Sequence, residues 1–320
     1  DTYAGHPLSL SLLAGYLKIV HDGSIESFHE LNSLLDEEKN RGHVNNIMHA
    51  YLGWIEDKPE KDLLFLLGIF DRAVSLSDLR KVCAGRDVPE ALAELSRFSM
   101  KDWQYGFSLL SDAKLIIRWK KKGEVLLDCH PIVRDFIAGH LVSQDEAFWI
   151  EGNSVLFDFL LRKSHRKSDL MEELELLFRA VTHGAQAKRY EEAFDVYFNK
   201  IKNRQFSIPT EVSHHADHAC LRAFFEIPWV KPVPSLAEDA QMYLLASAAT
   251  NLIYLGKIND ATEPCYTGIR WFLANGRWEE AAGAAAPLAS MLIAAGELPK
   301  AMQLIDELDP AILNSGSEVV

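Results

Sequence analysis

The phrase Gly256-Lys-Ile-Asn-Asp-Ala261 returns as Gly276-Arg-Trp-Glu-Glu-Ala281 and again as Gly296-Glu-Leu-Pro-Lys-Ala301, each 20 residues after the last. A fixed period of this kind confines the chain to architectures in which like units stack on their neighbours. Glycine takes the left-handed conformation that ends a helix, and the alanine that follows lets the next helix approach closely. Each unit therefore reads as one helix and its turn. Two units make a helical hairpin of about 40 residues, slightly longer than the 34 of a standard tetratricopeptide repeat. A related phrase, Lys188-Arg-Tyr-Glu-Glu-Ala193, carries the pattern upstream. Pro228-Trp-Val-Lys-Pro-Val-Pro234 interrupts it, because three prolines in seven residues do not continue a helix, and a rigid elbow is expected there.

Before residue 146 the pattern is different. Leu8, Leu12, Leu13, Tyr16, Leu17 and Val20 share one face of a helix predicted over residues 7–20, with further helices near 24–38 and 44–55. With four basic against ten acidic residues in 1–60, these form a small acidic bundle. Pro59 marks the next boundary. Helices are predicted over 61–70, over 75–82 behind the capping Ser75, over 90–98 behind Pro89, and within 103–113. Two strand-like runs, 115–119 and 124–128, flank Lys120-Lys-Lys-Gly123 as a hairpin with a basic tip, and a helix over 131–141 closes the series. Helices, a hairpin and a final helix are the order of a winged helix. The predicted fold is mainly α: a helical bundle (1–58), a winged-helix domain with one β-hairpin (59–145), a helical linker with the first tetratricopeptide-like hairpins (146–227), and further such repeats forming an α-solenoid (235–320).

Composition narrows the function classes. Hydrophobic residues at 48% and charged residues at 25% suit a folded globular chain rather than a disordered or fibrous one. No run approaches the roughly 18 apolar residues that cross a bilayer, and Asp1-Thr-Tyr3 carries no basic signal region, so a cytoplasmic piece of a longer protein is expected. Cys83, Cys129, Cys220 and Cys265 form no C-x-x-C pair, which fits a reducing compartment. Lys and Arg number 33 against 46 Asp and Glu, a net charge of −13; the winged-helix segment is nearly balanced, 13 against 12, and residues 146–320 carry 16 against 24. A general phosphate-binding surface, and DNA as a partner, are disfavoured.

No phosphate loop, dinucleotide fingerprint, nucleophile elbow or H-E-x-x-H motif occurs in the sequence. His214 and His218 stand one helical turn apart and, with Asp217, are a candidate metal set; the ordinary alternative is a solvated helix turn. His130 lies where the second strand meets the last helix, just before Pro131; taken alone it reads as a helix cap or a packed histidine. Lys120, Lys121 and Lys122 suit either a DNA-contacting wing or a solvated tip that blocks edge pairing. The seven tryptophans are dispersed and expected to be packing residues.

The order of these pieces resembles the control region of STAND-class signalling ATPases of the NB-ARC and NACHT kind. Gly5-His-Pro-Leu-Ser-Leu-Ser-Leu-Leu-Ala14 is similar to that family's G-x-P motif. Leu64-Phe-Leu-Leu-Gly-Ile-Phe-Asp-Arg-Ala-Val74 and Asp128-Cys-His-Pro-Ile-Val-Arg-Asp-Phe136 resemble the opening and closing phrases of its winged helix. The resemblance implies that Pro7 packs near the adenine of bound ADP and that His130 reaches toward the ADP phosphates, as the histidine of the M-H-D motif does. Cys129 and Pro131 stand where that motif has methionine and aspartate. It also implies an upstream nucleotide-binding domain that holds ADP or ATP with Mg, no cofactor and no catalysis in this piece alone, a protein trigger recognised by the solenoid, and homo-oligomer formation on activation. A winged-helix transcription regulator with an effector-sensing repeat domain is the alternative, and a pure docking scaffold a third.

Overall fold

The computed structural model describes residues 7–24, 41–84, 90–121, 123–202 and 210–315. The helix expected over 24–38 lies, but for Ser24, outside them, as do Pro89 and Lys122. The chain is mainly α and divides into two compact units, Asp1–Val155 and Leu156–Val320.

The first unit contains α1 (Pro7–Val20), α2 (Arg41–Ile55), α3 (Glu60–Ile69), β1 (Val74–Ser75), α4 (Leu76–Cys83), a 3-10 turn (Glu90–Leu92) leading into α5 (Ala93–Ser96), α6 (Met100–Asp112), β2 (Ile116–Lys121), β3 (Glu124–Cys129) and α7 (Pro131–Gln144). Local chemistry sets the starts. Ser75 caps α4 by accepting from the Asp78 amide at 3.1 Å, and Ser99 and Asp102 form a reciprocal capping box on α6. The middle of α3, Leu63 to Ile69, is buried without a break, as expected of a helix that is apolar all round. It packs on α7, so closely that a Cβ at Gly68 would run into Ile137. The strands form an antiparallel sheet in the order β1-β3-β2, with Ile116 opposite Cys129 and Lys121 opposite Glu124; Gly123 turns the connection at φ 84°. β1 was not foreseen, because two residues carry no periodicity.

Tyr51 ties this unit together. Its hydroxyl lies 2.9 Å from the Leu12 carbonyl of α1 and 2.5 Å from the Ala113 carbonyl just before β2, so one proton serves two acceptors. Burial, with a smaller contribution from Tyr16, pushes its pKa well above the ordinary tyrosine value and keeps the proton in place.

α8 (Glu146–Ser164) starts in the first unit and ends in the second. The second unit continues with α9 (Leu170–Gln186), α10 (Tyr190–Asp195) running into a π-helical turn (Val196–Ile201), and α11 (Thr210–Arg222). The proline-rich segment is more than an elbow: β4 (Phe225–Ile227) and β5 (Lys231–Pro232) pair as a bulged antiparallel hairpin, with Trp229 at φ 62° in its turn. α12 (Glu238–Tyr254), α13 (Ile258–Ala274), α14 (Trp278–Ala294) and α15 (Leu298–Ser315) then begin 20 residues apart, and each packs on the next. Ala261, Ala281 and Ala301 are all buried at the same phase.

The turns between these helices repeat one geometry. Gly256, Gly276 and Gly296 have φ of 74°, 69° and 78°. The amide after each reaches back to Leu252, Phe272 and Leu292 at 2.9, 2.9 and 2.8 Å, the six-to-one bond of a Schellman ending. Lys188 adopts the same conformation at φ 58°, and Arg189 bonds back to Gly184 at 2.9 Å.

Tyr51→Phe should lower the stability of the first unit by about 1–3 kcal/mol, because it strips a buried donor from carbonyls left without water. Urea denaturation checks this, and an unchanged midpoint would remove Tyr51 from its joining role.

Candidate functional site

Pro7 is the exposed first residue of α1, where its missing N–H and fixed φ suit the helix start. His130 is the N-cap of α7, and its Nδ1 accepts from the Ile132 amide at 3.2 Å. That bond uses the Nδ1 lone pair, so the neutral ring carries its proton on Nε2. Nε2–H has no partner among the described residues, and the ring is half-buried. His130 is thus held by one nitrogen and presents the other as a donor. Pro7 and His130 belong to elements linked through Tyr51: α1 on one side, and on the other the Ala113 turn into β2, whose Ile116 pairs with Cys129.

The residues around His130 are braced. Asp128 accepts from its neighbour Cys129's amide at 2.9 Å and from Arg134 Nη2 at 2.5 Å, which fixes the first turn of α7 against the end of β3. Arg134 Nε is buried without a hydrogen-bond partner among the described residues. The Cys129 thiol lies 3.6 Å from the Leu67 carbonyl, and burial pushes its pKa up to about 11, so it is an inert packing group.

Beside Ile132 a groove of about 750 Å³ runs between α2 and α7, lined by Asn45, His49, Asp135, Phe136, His140 and Gln144 among others. His49 meets Phe136 edge-on at 4.9 Å, and His140 lies 6.5 Å from His49 and 5.7 Å from Phe65. Burial, then the neighbouring His49, lowers the His140 pKa; Glu56 and Asp145 raise it, and Lys61 lowers it further. Asp62 moves the other way, up to about 6, because burial and then Glu94 disfavour its charge.

Two members of the candidate metal set, Asp217 and His218, are engaged by neighbouring side chains. Asp217 is only 2% exposed, and its carboxylate accepts from Tyr197 at 2.9 Å, Lys202 at 2.6 Å and Asn251 at 3.3 Å. His218 Nδ1 lies 3.2 Å from Asn251 Oδ1, with the ring 4.7 Å from Trp229. His215 is exposed, and the His214 side chain lies outside the described residues. No group of three or more His, Cys, Asp or Glu suited to a metal occurs among the described residues. The network instead lines a cavity of about 340 Å³ with Tyr243, Ser247, Thr250 and Tyr254. Its partners are far apart in sequence, so no local spacing announced it.

Lys120 and Lys121 are exposed at the hairpin tip. Trp103 is buried as expected, but Trp119 is 39% exposed on β2 and departs from the packing role assigned to the tryptophans. All four cysteines are buried and free. No helix among the described residues is long and apolar enough to cross a membrane.

The geometry defines a mainly helical chain with a braced, N-capping histidine in its first unit and a periodic helical stack in its second. No protein-family model, curated protein or solved structure matches it.

His130→Ala should cost about 0.5–2 kcal/mol as a lost cap, while His130→Asn should recover most of it, since asparagine caps well. Thermal unfolding of the pair checks this; equal loss in both would deny the cap. The His140 shift fixes a sign for pH as well. A depressed histidine stabilises fully above its unfolded pKa of about 6.5 and loses that contribution as pH falls toward its lower folded value. The raised Asp62 acts in the opposite direction below about 6. His140→Gln should therefore flatten the acid side of the stability profile, read as denaturation midpoints from pH 7.5 to 5; a profile parallel to that of the parent chain would refute the assignment.

Proposed function

We propose that this chain is the regulatory and sensor portion of a STAND-class nucleotide switch. The observation that carries the reading is His130. Its Nδ1 is pinned by the backbone of α7 and its Nε2–H is left to donate, the arrangement needed by a group that reports on an anionic ligand. Helix, strand, three short helices, two paired strands and a closing helix over residues 60–144 support reading this segment as a winged helix. The stacked helices after residue 237 support a tetratricopeptide-like solenoid.

In this reading Pro7 packs near the adenine and His130 donates to the phosphates of ADP held by an upstream nucleotide-binding domain, with ATP and Mg entering the same site on activation. In this reading His130 supplies a donor and Pro7 an apolar ring, and the phosphate-binding loop belongs to the upstream domain. The Asp128–Arg134 pair takes over the bracing that the M-H-D aspartate supplies in the family, where this chain has Pro131. The solenoid recognises a protein trigger, which shifts the switch toward an open, ATP-bound oligomer. Moving the population from 1:99 to 99:1 needs about 5.5 kcal/mol of differential trigger affinity, within reach of an extended repeat surface.

The test is to read the coding sequence upstream of Asp1 and to measure ADP retention in the full-length protein carrying His130→Asn. A phosphate loop upstream, together with faster ADP loss in a variant that folds normally, is the expected outcome. An upstream sequence without that loop, or unchanged ADP retention, would overturn the latch.

A further inference from the structure

β2 is the outer strand of its sheet. β3 pairs along its full length, and its other edge has no strand partner among the described residues. Five of its six residues are exposed. An open edge offers a row of outward N–H and C=O groups that an extended chain can join. Strand alternation puts Ile117 and Trp119 on one face, 59% and 39% exposed, beside the half-buried Leu126 opposite Trp119. Arg118, Lys120 and Lys121 are also exposed, and no ion pair engages them among the described residues. Three cations on an open edge repel a basic strand or a second copy of the same edge, and they attract an acidic one.

We propose that β2 is the docking edge for an extended acidic segment of a partner protein, which adds as a further strand. Alternate apolar side chains of that segment cover Ile117 and Trp119, and its carboxylates face Arg118 and Lys120 on the other face, with Lys121 at the strand end. Duplex DNA is the rival for a basic hairpin. The apolar face and the near-balanced charge of residues 61–145 favour the peptide. This surface is independent of the nucleotide switch and stands whether or not that reading holds.

The experiment is amide hydrogen exchange on the 320-residue chain with an acetylated, amidated peptide of alternating glutamate and valine. Slowed exchange is expected at every second amide of Ile116–Lys121. Binding should weaken about tenfold or more in the Arg118→Glu, Lys120→Glu double variant, and when the peptide is N-methylated along one edge. Arg118 and Lys120 are both exposed, so the variant should fold, and circular dichroism verifies that. Protection elsewhere than β2, equal binding by the charge-reversed variant, equal binding of a lysine–valine peptide, or displacement by duplex DNA that itself protects β2 more strongly would each overturn the proposal.

Discussion

A single left-handed residue, with a six-to-one hydrogen bond closing behind it, is the constraint on which the second unit rests. It reverses the chain in three residues, so each helix of α12–α15 returns alongside its predecessor at a fixed phase and lays its alanine against it. Glycine meets this requirement without strain at residues 256, 276 and 296; Lys188 meets it at a cost, since a side chain at positive φ is disfavoured by about 1–2 kcal/mol. The turn keeps a second device as well. Arg189 and Arg277, each at the start of the following helix, fork between their own third-position glutamates, Glu192 and Glu280, and a carboxylate on an earlier helix, Asp158 or Asp239. These pairs are largely exposed and contribute little stability singly; their effect is on orientation.

The first unit depends on a different kind of join. A helix apolar all round, α3, supplies the core. The polar group at its margin, Tyr51, holds α1 to the root of the hairpin. The histidine at the far end of β3 is therefore placed by three things at once: the strand register, the Asp128–Arg134 brace and its own capping bond. A side chain fixed this way has one nitrogen committed to structure and one left for chemistry, which makes the structural and functional readings of His130 compatible.

What was legible in the sequence was local. The capping Ser75, the glycine period and the strand-like runs around Gly123 each act within a few residues, and the elements they announce are present. The period also outweighed a contrary signal, because Pro264 and Pro287 lie inside α13 and α14, where proline alone would have ended a helix. The site chemistry was less legible because it is long-range. His214, Asp217 and His218 looked like a ligand set by spacing, yet Asp217 turns inward to Tyr197, Lys202 and Asn251, which stand 20, 15 and 34 residues away. Exposure of Trp119 was invisible for the same reason: the sheet order that makes β2 an outer strand depends on the two-residue β1 pairing with β3 rather than with β2.

The closed character of each left-handed turn has an evolutionary consequence. Because every ending is completed by atoms within six residues, α12–α15 form a stretch whose length is quantised. Removing or duplicating 40 residues, one antiparallel pair, leaves every remaining turn, helix direction and helix phase as it was, whereas a change of 39 or 41 rotates all later helices by about 100°. Unequal recombination between alternate glycine codons would be tolerated where point insertions would not, so relatives of this chain should differ by whole helical pairs.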